Sequence, residues 1–111
     1  MYHGQYLSFM ERARTELLNA AGVDLAVLAE KRGVQFMVHE LEVKYHRGAR
    51  LNERLTVSAE VVKIGRASLV FRQTVAREGE LLVEARVSVA IVDRSRMKPA
   101  RLPPELEQAL H

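Results

Sequence analysis

The chain has 111 residues, of which 17 are basic and 14 acidic, and its formal net charge at pH 7 is +3. Apolar residues make up 48%, so length and composition fit one folded domain with a single hydrophobic core rather than a disordered chain. The chain contains no cysteine, which excludes disulfides, thiolate metal sites and a cysteine nucleophile.

The first 22 residues have the pattern of an amphipathic helix, predicted over 1–22, with apolar side chains at steps of three and four residues. These apolar residues are Tyr6, Phe9, Met10, Ala13, Leu17 and Ala20. Gly22 has the position of a glycine that ends a helix. A second, shorter helix is predicted over 24–32, because Asp24 can cap its start and Gly33 can end it.

Over 34–93 the apolar side chains alternate with a period of two, which predicts four antiparallel strands. The phase slips by one residue near His39, which indicates a β-bulge. Two short turns, at 65–66 and 78–79, predict that the last three strands form a meander. The final strand has an unbroken alternating apolar face formed by Leu81, Val83, Ala85, Val87, Val89 and Ile91.

Residues 94–111 form a basic tail punctuated by prolines, with one or two helical turns near its end. A long helix followed by four strands predicts a two-layer α+β domain over 1–111, in which the helix covers one face of the sheet. A second apolar set lies out of phase with the first, at Val62, Val70, Leu82, Ala90 and Val92. Apolar surface on the opposite face indicates a second subunit, so we expect a homodimer or homotetramer.

Several function classes lack their sequence signatures. No apolar run reaches the roughly 20 residues that span a bilayer, and no signal peptide is recognised, so we expect a cytoplasmic protein without a transmembrane segment. Aromatic residues are only 5% and tryptophan is absent, so nucleic-acid binding is not expected. His39 and His46 lack the neighbours of a zinc site, and no nucleophile elbow, P-loop or dinucleotide fingerprint occurs.

The segment YHGQYLSFMERARTELL resembles the motif YHxxYLxFxERARxExL of the tol-pal-associated acyl-CoA thioesterases of the YbgC type, in the 4-hydroxybenzoyl-CoA thioesterase branch of the hotdog fold. The likeness continues through VHELEVKYHRGARLNERLTV and GRASLVFRQTV to VEARVSVAIVDRSRMKPARLP, nearly the whole chain. It implies a long central helix wrapped by an antiparallel sheet. It also implies a dimer or tetramer with active sites at the dimer interface, which hydrolyses coenzyme A thioesters without a resident cofactor.

In the resembled family a first strand precedes the YH pair, and its DTDxxGVV stretch supplies a catalytic aspartate. Met1 stands here at the place of the last valine of that stretch. We therefore expect this strand and the aspartate to be missing, through a misassigned start, trimming or a natural short form. An alternative function follows: a catalytically silent module that binds acyl-CoA or an acyl carrier protein, or that oligomerises, with an envelope-related protein as a further partner.

The start of the first helix is the expected place for thioester chemistry. The N–H groups and the dipole at a helix N-terminus favour the negative charge that develops on a thioester oxygen. By the resemblance, the His3 N–H donates to that oxygen and the His3 imidazole orients water or substrate. Gly4 has no side chain and permits close approach of a thioester, and Tyr2 is a further predicted substrate contact. The alternatives are a frayed terminal histidine and an ordinary helix-start glycine.

Glu11 is the remaining candidate for a catalytic carboxylate. It follows His3 by eight residues, a little over two helical turns, and another branch of the hotdog proteins uses a helical glutamate at about this offset. The alternative is an ion pair of Glu11 with Arg12 or Arg14. Arg14 and Glu16 are interpreted as helix-surface or interface residues.

The phosphates of coenzyme A require basic side chains at the rim of a pocket. Arg66 and Ser68 lie on the predicted GRAS turn, and Lys98 and Arg101 lie in the basic tail. These four residues are the predicted nucleotide contacts, and a solubilising rim is the alternative. The weaker candidates in the preceding loop are Arg47, Arg50 and Arg54.

Overall fold

The computed structural model describes the backbone of residues 3–46 and 54–110 and the side chains of 7–46 and 54–110. Tyr2, Arg47 and Arg50, singled out from the sequence, lie outside the described residues. The elements in chain order are α1 (His3–Ala20), α2 (Leu25–Arg32), β1 (Val34–Tyr45), β2 (Thr56–Ile64), β3 (Ser68–Arg77), β4 (Glu80–Asp93) and α3 (Pro104–Leu110).

α1 ends in the way that the position of Gly22 predicts. Gly22 has a φ of +88°, in the left-handed region that favours glycine. The Val23 N–H donates to the Leu18 carbonyl at 2.8 Å, and the Gly22 N–H donates to the Asn19 carbonyl at 3.0 Å. This pair of crossed bonds satisfies two carbonyls at the helix end and reverses the chain.

Both predicted caps of α2 are confirmed. The Asp24 carboxylate accepts the Ala26 N–H at 3.0 Å and the Val27 N–H at 3.3 Å. Gly33, at a φ of 67°, ends the helix in the left-handed conformation. The chain then passes directly into β1.

The buried face of α1 differs from the predicted apolar stripe. Its centre is Met10 and Leu18, each 1% exposed, whereas Ala20 from the predicted stripe is exposed. Arg14, interpreted from the sequence as a helix-surface or interface residue, lies half-buried between Met10 and Leu18. Because these three positions are four residues apart, they form one row on the helix, and that row faces the sheet.

The strands form one antiparallel sheet in the order β1-β4-β3-β2, so the predicted meander of the last three strands is confirmed. The β1–β4 register shifts between Val38 and Glu40, which confirms the bulge at His39. Val38 therefore lies opposite Val89 and Leu41 opposite Val87, and the apolar side chains stay on one face through the bulge.

The alternating face of β4 starts at Val83 rather than at Leu81 as predicted. Leu81 is 36% exposed, whereas Leu82 and Val83 are both fully buried. The register between β3 and β4 shifts here, between Val75 and Ala76, so the alternation changes phase. Leu82 consequently joins the core instead of the opposite face for which it was predicted.

The core lies between the helices and one face of the sheet, which we call the inner face. α1 packs over β2 and β3, and α2 packs against β1. The buried side chains of the inner face are apolar with one exception: among the described residues, Gln73 of β3 is the one polar side chain that is fully buried.

The outer face of the sheet, opposite α1, carries a row of charges that we call the outer charged band. His46 Nε2 lies 2.9 Å from Glu84 Oε2, and the Arg72 guanidinium donates to Glu84 Oε1 at 3.2 Å. Arg72 Nη1 also lies 3.6 Å from Glu60 Oε1. These exposed pairs contribute little stability individually, but they make the centre of this face polar rather than apolar.

Residues 94–110 fold back onto the sheet, although the sequence predicted only a basic tail with a short terminal helix. The Asp93 N–H donates to the Lys98 carbonyl and the Leu102 N–H to the Arg66 carbonyl, both at 2.7 Å. Leu102 is 9% exposed and Leu106 of α3 is fully buried. The segment therefore contributes two side chains to the core.

Glu105 connects α3 to α2. Arg32 Nη2 donates to Glu105 Oε1 at 2.7 Å, Arg32 Nε lies 3.2 Å from both carboxylate oxygens, and Lys31 Nζ lies 3.4 Å from Oε2. The Arg32 hydrogen bonds, with a smaller contribution from Lys31, lower the pKa of Glu105 to about 2.

This connection predicts a pH-dependent stability. We expect Glu105→Gln to lower the Tm at neutral pH, because the charged pair is lost. The carboxyl has a lower pKa in the folded chain than in the unfolded chain, so its stabilisation is present above pH 4.5 and is lost as the pH falls toward about 2. The Tm difference between wild type and variant should narrow over this range in differential scanning fluorimetry.

Glu107→Gln is the matched control, since Glu107 lies on the same helix, is exposed, and makes no ion pair within the described part of the chain. A Tm difference for Glu105→Gln that stays constant down to pH 2 would contradict the assignment.

Candidate active site

The start of α1 carries the first group of predicted site residues. α1 begins at His3 and continues through Gly4, and the N–H groups of the first turn of a helix have no acceptor within that helix. The side chain of His3 lies outside the described residues. The predicted roles of Tyr2, His3 and Gly4 therefore stay predictions.

A cleft of about 140 Å³, which we call the inner cleft, opens between α1 and the inner face of the sheet. Its polar side consists of Glu11, Arg14 and Thr15, all on α1. Its apolar side includes Leu18, Leu25, Phe36, Val38, Leu69 and Val89. A carboxylate at the edge of an apolar cleft is suited to act as a base or nucleophile on a group whose hydrocarbon part enters the cleft.

Glu11 itself is exposed and makes no direct ion pair within the described residues. Arg12, one of its two predicted partners, lies 3.9 Å from Glu16 instead. Arg14, the other, lies one turn further along α1, on the same side of the helix, and its charge interacts with that of Glu11. The carboxylate of Glu11 is thus open to the cleft with one cation beside it.

The Arg14 guanidinium is held from the sheet side. Arg14 Nη1 donates to Gln73 Oε1 at 2.7 Å, and Gln73 Nε2 donates to the Met10 carbonyl at 2.7 Å. Burial lowers the pKa of Arg14, and the nearby Glu11 carboxylate opposes that shift. The hydrogen-bonded chain Met10–Gln73–Arg14 therefore leads from the backbone of α1 through β3 to the polar side of the inner cleft.

Gln73 was not predicted as a site residue, although the pattern of β3 contains a signal for it. In β3 the residues Leu69, Phe71 and Val75 share the buried face, and Gln73 occupies the one position between Phe71 and Val75 with the same orientation. A polar residue inside an alternating apolar set requires a buried hydrogen-bond partner.

The second group of predicted residues meets at a larger pocket of about 690 Å³, which we call the arginine pocket. Arg66, at the turn between β2 and β3, and Arg101, in the segment after β4, both line it. Arg32 also lines the pocket, but its guanidinium is bound to Glu105. Neither Arg66 nor Arg101 makes an ion pair with any residue that the structure describes, so both can bind a phosphate.

Two acidic residues, Asp93 and Glu107, also line the arginine pocket. The Asp93 carboxylate accepts the N–H groups of Ser95 and Arg96, each at 3.0 Å, and the Ser95 hydroxyl at 2.8 Å. The backbone hydrogen bond from Arg96, followed by that from the Ser95 hydroxyl, lowers the pKa of Asp93. The charge of Asp93 is thus partly compensated within its own turn.

The other two predicted nucleotide contacts lie elsewhere. Ser68 lines a groove on the outer face of the sheet together with Lys63 and Arg86. Lys98 is exposed in the turn after β4. The structure therefore brings Arg66 and Arg101 together and leaves Ser68 and Lys98 outside their pocket.

The inner cleft and the arginine pocket are neighbours along β1. Val34 lines the arginine pocket and Phe36 lines the inner cleft, two residues apart on the same strand face. At the rise of a β-strand this step is about 7 Å. The two openings are therefore adjacent along β1.

The described ranges contain neither a metal cluster nor a membrane-spanning helix. Within 3–46 and 54–110, no three His, Cys, Asp or Glu side chains are grouped so that they could hold a metal ion. In the same ranges, no helix is long and apolar enough to cross a membrane.

Comparison with known proteins gives consistent matches in sequence. A sequence model of the thioesterase superfamily matches residues 1–92. The chain is 38% identical over 111 residues to the acyl-CoA thioesterase YbgC of Haemophilus influenzae, an alignment that covers 100% of this chain and 82% of that protein. It is 40% identical over 104 residues to the acyl-CoA thioester hydrolase YbgC of Escherichia coli O6:H1, with 93% of this chain and 77% of that protein covered.

Comparison of the fold with solved protein structures also gives a match. The crystal structure of the DHNA-CoA thioesterase from Staphylococcus aureus superimposes with a TM-score of 0.88 and 28% identity. The superposition covers 97% of this chain and 74% of that chain.

Proposed function

The chain belongs to the thioesterase superfamily and has its hotdog fold, and on this premise we propose that it hydrolyses acyl-coenzyme A thioesters. The products are a carboxylic acid and coenzyme A, the second substrate is water, and the reaction uses no resident cofactor. The family resemblance carried by the sequence motifs is confirmed by the matches to the YbgC proteins.

The observation that carries this proposal is the place of Glu11. Glu11 lines the polar edge of an apolar cleft, and that cleft neighbours a pocket with two arginines that form no ion pair with any residue that the structure describes. An acyl-CoA molecule combines the matching parts, an apolar acyl group at one end and a phosphorylated nucleotide at the other. The inner cleft takes the acyl group, and Arg66 and Arg101 bind phosphate.

In the proposed reaction the thioester carbonyl oxygen accepts from the His3 N–H at the start of α1. Because eight residues, about 12 Å of helix, separate His3 from Glu11 of the same chain, the Glu11 that acts on this carbonyl comes from the second subunit of the proposed dimer. Glu11 accepts a proton from water as the water oxygen attacks the carbonyl carbon. The carbon–sulfur bond of the tetrahedral intermediate then breaks, and the departing thiolate takes up the proton. The helix N-terminus stabilises the oxyanion through its free donors and its dipole.

The proposal includes a homodimer or homotetramer in the cytoplasm, the compartment that supplies coenzyme A thioesters. β1 is an edge strand of the described sheet. Three large non-aromatic apolar side chains of β1 are 40–49% exposed, namely Met37, Val38 and Leu41. Apolar surface on an open sheet edge supports a second subunit. An acyl carrier protein or an envelope-related protein is the alternative binding partner for this surface.

The first test removes the proposed base. We expect Glu11→Gln to lower kcat by about 100-fold or more while binding of coenzyme A is retained, because general-base catalysis contributes roughly 10²–10⁴. Thiol release from a panel of acyl-CoAs measures turnover, and calorimetry measures binding. Glu16→Gln, on the same helix and paired with Arg12, is the control that should keep wild-type turnover.

Equal turnover by Glu11→Gln and wild type would contradict the assigned base. Binding of coenzyme A without turnover by the wild type would favour the catalytically silent module over the enzyme.

The second test addresses the nucleotide end. We expect Arg66→Ala and Arg101→Ala each to raise KM for an acyl-CoA roughly tenfold, because each loses a charge-assisted hydrogen bond. KM for the corresponding acyl-N-acetylcysteamine thioester, which has no phosphate, should not change. Arg94→Ala, an exposed arginine outside the arginine pocket, is the control. An equal rise in KM for both substrates would contradict a phosphate-binding role.

A further inference from the structure

We propose that Gln73 and Arg14 are positioning residues, which hold a cation beside Glu11 at the edge of the inner cleft. This inference rests on the proposed hydrolase function and extends it to two residues that do not touch the reacting atoms.

Gln73 is the fixed point of the arrangement. It lies in β3, which pairs with a strand on each side, and its side chain is fully buried. Both ends of its amide are used, since Oε1 accepts from Arg14 and Nε2 donates to the Met10 carbonyl, each at 2.7 Å. A buried amide with both ends bonded has one orientation.

Arg14 is bonded to this fixed amide and also lines the cleft. Its guanidinium offers five N–H donors in a planar fork, and the bond to Gln73 uses only one of them. The residue lies three positions after Glu11, a spacing that places the two side chains next to each other on the helix. Arg14 and Glu11 line the same cleft and interact through their charges. Without Gln73 the long arginine side chain would sample several rotamers.

The strands beside Gln73 provide the space that this arrangement needs. Its cross-strand neighbours are Ala59 on β2 and Ala85 on β4. The next inner-face position along β3, Val75, instead has Val57 and Val83 beside it. Gln73 thus has one small residue on each side, and the Arg14 guanidinium bonds to its side chain at this point of the sheet. If Gln73 served only to attach α1 to the sheet, an apolar residue at its position would be sufficient.

The test uses a double-mutant cycle on the full chain with the variants Gln73→Leu, Arg14→Met and the double variant. If Gln73 acts through Arg14, each single variant lowers kcat by about 10- to 100-fold, as expected when a reacting group is misplaced. KM stays within about twofold. The double variant is then no slower than the slower single variant, because one interaction has been removed in all three.

Thr74→Val is the matched control, since Thr74 is the next residue of β3 and its hydroxyl lies 2.6 Å from the Ser58 hydroxyl on the outer face. It should keep wild-type kcat. Losses of kcat that multiply in the double variant, or wild-type kcat in either single variant, would overturn the inference.

Thermal unfolding of each variant separates positioning from folding. If Gln73→Leu does not fold, the Arg14→Met variant decides, because it leaves the Gln73–Met10 hydrogen bond in place. A wild-type kcat for Arg14→Met overturns the inference, and a lowered kcat supports it. If the proposed hydrolase function is wrong, the wild type itself releases no thiol, and both proposals are then contradicted. A wild type that turns over, with a slow Glu11→Gln and a fast Arg14→Met, overturns only the positioning role.

Discussion

The side-chain amide of Gln73 connects β3 to α1 inside an otherwise apolar layer, and the rest of the candidate site depends on that connection. A buried amide group without a hydrogen-bond partner costs about 1–3 kcal/mol, so both of its ends require partners in the folded chain. The Met10 carbonyl and the Arg14 guanidinium fulfil this requirement. They lie one turn apart on α1, which fixes the rotation of the helix over the sheet and brings Glu11 to the edge of the inner cleft.

Local chemistry explains which parts of the fold could be predicted. The caps at Asp24 and Gly33 and the bulge at His39 follow from residue types and phase within a few positions, and all three are confirmed. Leu82 is buried in the core where Leu81 was predicted. This difference could not be predicted, because the bulge that causes it appears only when β3 and β4 pair. The contribution of Leu106 to the core likewise depends on how the tail folds back.

The same distinction holds for the candidate site. Glu11 was predicted from the resemblance to another branch of the hotdog proteins, and Arg66 and Arg101 were predicted from the phosphates of coenzyme A. The three residues lie at two neighbouring openings. Arg14 was interpreted as a helix-surface or interface residue, because a charged residue on an amphipathic helix usually lies on its polar side. Its half-buried position depends on an acceptor 59 residues away on β3. A long-range hydrogen bond of this kind has no signature in the local pattern of α1.

The most direct measurement is a structure of the protein with a ketone analogue of an acyl-CoA, in which a methylene group replaces the thioester sulfur. We predict that the ketone carbon lies beside Glu11, either in direct contact or separated from it by one water molecule. We also predict the acyl group against Leu69 and Val89, with a phosphate on Arg66 or Arg101. An acyl group bound on the outer face of the sheet, or a carbonyl with no path to Glu11, would contradict this prediction.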